Sequence, residues 1–169
     1  MVGKWIDIYS ESAKKIYEAG HELASHSNTH PHSNDLSYEK NIEELEKCND
    51  KIEEITGKRT KIYRAPYGEY NDIVIKAAKD KGYYPIQWSL DTLDYTGLTG
   101  DEMWKRLDKN LKNGDIILSH NGAKYIAESL DILLSNIKNK GFEIVPISKL
   151  IYFDNYIINE KGTQIKNNI

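Results

Sequence analysis

The sequence predicts an α/β fold in which strands alternate with helices and pair in a parallel sheet or barrel. Two observations lead there. Apolar residues at helical spacing recur in separate stripes along the 169 residues, with short apolar extended runs between them. Polar clusters follow those runs directly, at residues 26–32, 64–68, 91–95 and 119–121, and chemistry in such folds gathers at the carboxyl ends of strands.

Taken in order, Ala13, Ile16 and Tyr17 mark a helix over residues 11–19, with Gly20 as its stop. Residues 21–25 read as a strand leading into a loop crowded with His, Ser and Asn. After Ser37, a suitable N-cap, the residues Ile42, Leu45, Cys48, Ile52 and Ile55 define the clearest helix, closed by Gly57. Ile62 and Tyr63 form a brief strand, residues 66–71 a turn, and Ile73, Val74, Ala77 and Ala78 another helical stripe ending at Gly82. Residues 84–89 read as strand. Thr99 with Glu102 fits a capping box for a helix carrying Met103, Leu107 and Leu111. Residues 115–119 are the next strand, Ile126, Leu130, Leu133, Leu134 and Ile137 the last long stripe, and residues 142–146 return to an extended pattern. Asn159 and Gly162 suit the turn of a small hairpin in an extension, residues 151–169, that follows a domain over residues 1–150.

Composition narrows the partners. Lys and Arg number 23 against 26 Asp and Glu, a net charge of -3 with both signs interspersed, so no cationic face for nucleic acid is expected. No apolar run approaches the ~20 residues of a membrane span, and residues 1–9 lack the apolar stretch of a signal peptide. The single cysteine, Cys48, lies in a helical stripe and is expected to pack as a small apolar residue.

His26 and His30 lie four apart, a spacing that aims two imidazoles at one metal if residues 27–29 turn; a surface loop that happens to carry histidines is the plain alternative. In Arg64-Ala65-Pro66-Tyr67-Gly68 a constrained turn follows a strand and can point a backbone N–H into a pocket, or simply connect strand to helix. Asp91 and Asp94 stand between Trp88 and Tyr95, two carboxylates beside aromatic rings that in a loop ordinarily solvate the surface or cap a helix. His120 ends the apolar run Ile116, Ile117, Leu118, which delivers it to one fixed place.

The order of these elements, paired histidines, Arg-x-Pro-Tyr-Gly, Asp-x-x-Asp-aromatic, then Leu-Ser-His, resembles the polysaccharide deacetylase family, also called the NodB homology domain or carbohydrate esterase family four, over residues 3–150. The resemblance implies a distorted (β/α) barrel of about seven strands and metal-dependent removal of N-acetyl or O-acetyl groups from peptidoglycan, chitin oligomers or related glycans. It implies that His26 and His30 ligate a divalent metal, zinc by preference, and that Arg64 holds the catalytic aspartate. Tyr67 would offer its backbone N–H to the oxyanion, His120 would be the acid, and Asp91 the carboxylate that tunes it. Leu118 would pack against the acetyl methyl, with Pro66, Trp88 and Tyr95 along the substrate. Export to the cell wall is implied likewise.

The family's first motif, consecutive carboxylates ending a strand before the Gly3-Lys4-Trp5 segment, has no counterpart, since no Asp-Asp pair occurs. Glu43-Glu44 and Glu53-Glu54 read as the solvated face of a helix. The expectation is therefore a barrel missing its first strand, weak or absent metal binding, and an open edge that invites dimerisation or strand exchange. The missing groups would come from a partner chain, from a substitute such as Asp35, or from upstream sequence. A catalytically impaired glycan-binding or interaction domain and a truncated gene product are the competing readings.

Overall fold

A computed structural model describes residues 1–167. It separates into two compact units, Met1–Ile86 with Ile151–Ile169, and Gln87–Leu150.

The first unit opens with two helices, α1 (Gly3–Ile8) and α2 (Ser10–Glu18), followed by the long α3 (Tyr38–Thr56). Ser37 starts α3 by accepting from the Lys40 N–H, and Gly57 ends it in the left-handed region at φ 71°. Leu45, Cys48 and Ile52 recur on one face and are buried, while Lys40 and Lys47 flank Glu43 on the other. Strands β1 (Ile62–Tyr63) and β2 (Tyr84–Pro85) pair in parallel around α4 (Asp72–Asp80), which Asn71 caps through the Val74 N–H.

These strands belong to a wider parallel ladder. Ser25 bridges Tyr63, donating from N to Ile62 O and accepting from Arg64 N. Met1 pairs with the same lane, its nitrogen donating to Ala24 O and its carbonyl accepting from His26 N at 2.8 Å. Two apolar clusters cover the ladder. Ile6, Leu23, Cys48 and Ile52 join α1 to α3, and Leu45, Tyr63, Val74, Ala78 and Tyr83 join α3 to α4. The antiparallel hairpin β5 (Tyr156–Ile158) and β6 (Gln164–Lys166) completes this unit, with its turn at Asn159 and Gly162.

In the second unit β3 (Leu90–Asp91) and β4 (Ile117–Leu118) pair in parallel, joined through α5 (Gly100–Asp108). The Thr99–Glu102 capping box is formed in full. Helix α6 (Ile126–Asn139) packs Ile126 and Leu133 on Met103 and Leu107 of α5. Residues 142–146, expected as a strand, form none; they lead into the short α7 (Ile147–Leu150). The architecture is mixed α/β with short parallel sheets, and no helix of the described residues is long and apolar enough to cross a membrane.

Candidate active site

In the first unit the histidine pair follows the Ser25 lane, and the loop that carries it is held on three sides. Ser27 and His30 both adopt left-handed backbone, φ 65° and 63°, which for non-glycine residues persists only when surrounding contacts fix it. From α1, Gly3 N and Lys4 N donate to Ser27 O and Asn28 O at 3.0 and 2.8 Å. From α3, Glu44 accepts from Asn28 N, Thr29 N and the Thr29 hydroxyl at 2.9, 2.7 and 3.0 Å, and Lys51 donates to the Asn28 side chain. Within the loop, His30 N donates to Ser27 Oγ at 2.9 Å. Glu44 is thus no solvated-face residue, as the helical periodicity suggested; it is the anchor of the histidine loop.

The rings of His26 and His30 meet edge-on, centroids 4.9 Å apart. His26 Nδ1 lies 2.6 Å from Arg64 O, so the ring donates from Nδ1 and leaves the Nε2 lone pair available. Burial pushes the His26 pKa down to about 3, which keeps the imidazole neutral and able to ligate across the working pH range. Burial also lowers the pKa of Arg64, whose side chain remains a cation.

Tyr67 follows in a 3₁₀ turn, Pro66–Gly68, with φ 57°. Gly68 N and Glu69 N close that turn on Ala65 O and Pro66 O, whereas the Tyr67 N–H meets no acceptor among the described residues. A donor left over by a tight turn is what an oxyanion site requires. The Tyr67 ring stands edge-on to His30 at 4.7 Å and stacks on His32 at 4.1 Å with an interplanar angle of 10°. His32 Nδ1 in turn lies 2.8 Å from Glu69 Oε1. From the sequence His32 is expected to be solvent-exposed, and it is; nothing in the spacing announces its contact with Glu69, 37 residues away.

In the second unit the carboxylate that meets His120 is Asp94, and the expected Asp91–His120 pairing is corrected. Asp91 Oδ1 accepts from Leu93 N at 2.8 Å in a local turn, and Leu93 then takes the left-handed region at φ 54°. The turn delivers Asp94, only 1% exposed, to the end of β4. There Asp94 Oδ2 accepts from Ser119 Oγ at 3.0 Å and from His120 N, while Oδ1 lies 2.8 Å from His120 Nδ1. Burial by itself would raise the Asp94 pKa, but the hydrogen bonds from His120 and Ser119 outweigh it and hold the carboxyl below its usual range. His120 therefore has its Nδ1 oriented by a buried anion. Tyr95 stands edge-on to this ring at 5.4 Å, and Leu118 is buried in β4. An Asx turn at Asp91 was the one sequence signal that would have singled out Asp94.

The donor set falls short of a complete metal centre. Two imidazoles are present, a catalytic zinc keeps three protein ligands, and the described residues contain no group of three His, Cys, Asp or Glu placed to hold a metal. Asp35 lies exposed in a 3₁₀ turn, outside any such group.

A sequence model of the polysaccharide deacetylase family matches residues 1–86, half of the chain, and the chain belongs to that family. Among particular relatives, it is 32% identical over 149 residues to the uncharacterized protein YlxY of Bacillus subtilis, covering 88% of this chain and 46% of that one. It is 29% identical over 158 residues to a peptidoglycan-N-acetylglucosamine deacetylase of Bacillus cereus, covering 90% and 74%. The crystal structure of BA3943, a CE4 family pseudoenzyme from Bacillus anthracis, superposes with a TM-score of 0.84 at 30% identity, covering 90% of this chain and 53% of that one. The chain thus spans about half the length of YlxY and of BA3943.

Proposed function

We propose that this chain acts in hydrolytic removal of acetyl groups from an N-acetylated glycan of the peptidoglycan or chitin type. The observation that carries the reading is the buried Asp94 carboxylate bonded to His120 Nδ1, with the neighbouring backbone N–H and Ser119 hydroxyl fixing it from the other side. Such a carboxylate selects the tautomer of the imidazole and stabilises its charged form, the requirements for an acid that gives a proton to a leaving amine. The unshared Tyr67 N–H suits the oxyanion that forms when the acetyl carbonyl is attacked. Leu118 and Tyr95 are assigned to the acetyl methyl and the sugar, with Pro66 and Trp88 along the substrate.

His26 and His30 are assigned as nitrogen ligands of a divalent metal, zinc by donor type. A working centre needs a third ligand and a base that the described residues do not bring together. The steps assigned to this chain are therefore binding, oxyanion stabilisation and proton donation. The parallel lanes of each unit support reading them as segments of the family's distorted (β/α) barrel of about seven strands. Action at the cell wall and self-association along the 24–26 lane are parts of the same proposal.

The test is acetate release from N-acetylglucosamine oligomers and from peptidoglycan with added zinc, beside the His120→Ala variant. Release abolished by that change supports the reading; no release from folded protein at high concentration refutes activity for this chain. The incomplete donor set favours a second reading, a glycan-binding domain without catalysis. It requires oligosaccharide binding that survives chelation and the loss of His120.

A further inference from the structure

Tyr67 takes a conformation that its residue type resists. In the turn after β1, the ring of Pro66 fixes its own φ, and Gly68 enters the left-handed region freely at φ 69°. Tyr67 enters it at φ 57°, where a non-glycine residue persists only when its surroundings hold it. Burial is not what holds it, since Tyr67 is 57% exposed. Its ring meets two imidazoles instead, His30 edge-on and His32 stacked flat.

The flat contact has a footing of its own. Asn41 of α3 donates from Nδ2 to Ser33 O at 3.2 Å, and Asp35 N donates to His32 O at 3.1 Å, which fixes the backbone that carries His32. Glu69 fixes the ring, because His32 Nδ1 donates to its Oε1 at 2.8 Å. The other carboxylate oxygen, Oε2, is buried with no hydrogen-bond partner among the described residues. A buried oxygen left unpaired is destabilising, so the carboxylate is not explained by what it adds to the fold. An acid just ahead of α4 would favour the helix dipole wherever it pointed. Asp72 already stands in that first turn and Asn71 caps it, and the dipole gives no reason for Oε1 to reach a residue 37 positions back.

We propose that Glu69 and His32 are positioning residues for the Tyr67 N–H. Glu69 sets the plane of the imidazole, and the imidazole stacked on Tyr67 keeps the turn left-handed with that N–H unshared. The use of the N–H for an oxyanion rests on the deacetylase reading; the bracing of the turn does not.

The experiment follows amide exchange and 15N shifts in the labelled full chain. The Gly68 N–H, bonded to Ala65 O at 3.1 Å, reports the closed turn. His32→Ala should raise its exchange roughly three- to tenfold, the worth of one ring contact, and shift the Tyr67 amide, with the β1 and α4 amides unchanged. His32→Phe, which restores a flat ring, should reverse both changes. Glu69→Ala should act in the same direction in the wild-type background and have no effect in His32→Phe, because it works through the imidazole. The proposal is overturned if His32→Ala leaves Tyr67 and Gly68 unchanged, if Phe restores no more than Ala, or if Glu69→Ala acts equally in both backgrounds. Exchange that rises equally at β1 and α4 also overturns it, since the pair would then hold the whole unit and not the turn. Acetate release separates this proposal from the reading beneath it. If wild type releases acetate, His32→Ala should lower kcat by a similar factor at constant KM and His32→Phe should restore it; a rise in KM at constant kcat overturns the proposal. A wild type that releases none refutes the deacetylase reading for this chain and leaves the exchange result to decide the brace.

Discussion

Replacing Asp94 by Asn tests the centre of the second unit, because the carboxylate is buried and each oxygen is used. Oδ2 accepts from Ser119 Oγ and His120 N, and Oδ1 faces His120 Nδ1. An asparagine amide must turn its NH₂ toward one of these groups, so either a donor meets a donor or His120 changes tautomer to let Nδ1 accept, and the remaining bonds lose charge assistance. Hydrogen bonds to a charged group contribute roughly 1.5–3 kcal/mol, so the change should cost about 3 kcal/mol. In urea this is a fall in midpoint of about 1–2 M for that transition. The pH dependence has a definite sign. The folded Asp94 pKa lies below the unfolded value of about 3.9, so its contribution is fully present above that value and is lost as pH falls through the folded one. The gap between wild type and Asp94→Asn should therefore be wide at neutral pH and shrink below about pH 4. Asp91→Asn, which disturbs one local turn bond, should cost about 1 kcal/mol or less. Ring 15N shifts of His120 should report a changed tautomer in Asp94→Asn alone. Equal losses in the two variants, or a gap that persists unchanged into acid, would refute the assignment of Asp94.

Glu44→Gln weakens three bonds to the histidine loop and should cost about 1–2 kcal/mol, with faster hydrogen exchange at the Asn28 and Thr29 amides. Exchange confined to the α3 amides would contradict an anchoring role. Gly3→Ala drives a Cβ into the Asn28 side chain and to 3.0 Å from Asn28 Cα, an overpacking cost of about 1–3 kcal/mol in thermal melts. His32→Ala removes the ring stacked on Tyr67 and should shift the Tyr67 ring protons, whereas His32→Phe should restore them. Since His32 and Glu69 are partly exposed, the loss of the contact between them should change stability by less than about 1 kcal/mol.

Local signals carried most of the helices. Ser37 and Gly57 bracket α3, and Thr99 with Glu102 opens α5, because caps are chemistry between residues a few positions apart. Helix α1 was illegible for the opposite reason. It has six residues, and Gly3 N and Lys4 N of its first turn donate to Ser27 O and Asn28 O, partners that no local pattern reveals. Residues 142–146 show the complementary error, an extended apolar pattern that forms no strand.

The two aspartates make the sharpest case. In Asp91-Thr92-Leu93-Asp94 both are acidic, both lie between Trp88 and Tyr95, and residue type alone assigns the histidine to either. What separates them is backbone. Asp91 closes on Leu93 N, Leu93 turns left-handed, and only the next carboxylate is carried inward to His120. The histidine loop obeys the same rule, since the placement of His26 and His30 depends on the left-handed Ser27 and His30 in a loop held by Glu44 and α1. The candidate residue types were readable in order along the chain, but which of two like carboxylates meets His120 was decided by backbone conformation, through a turn that residue type does not specify.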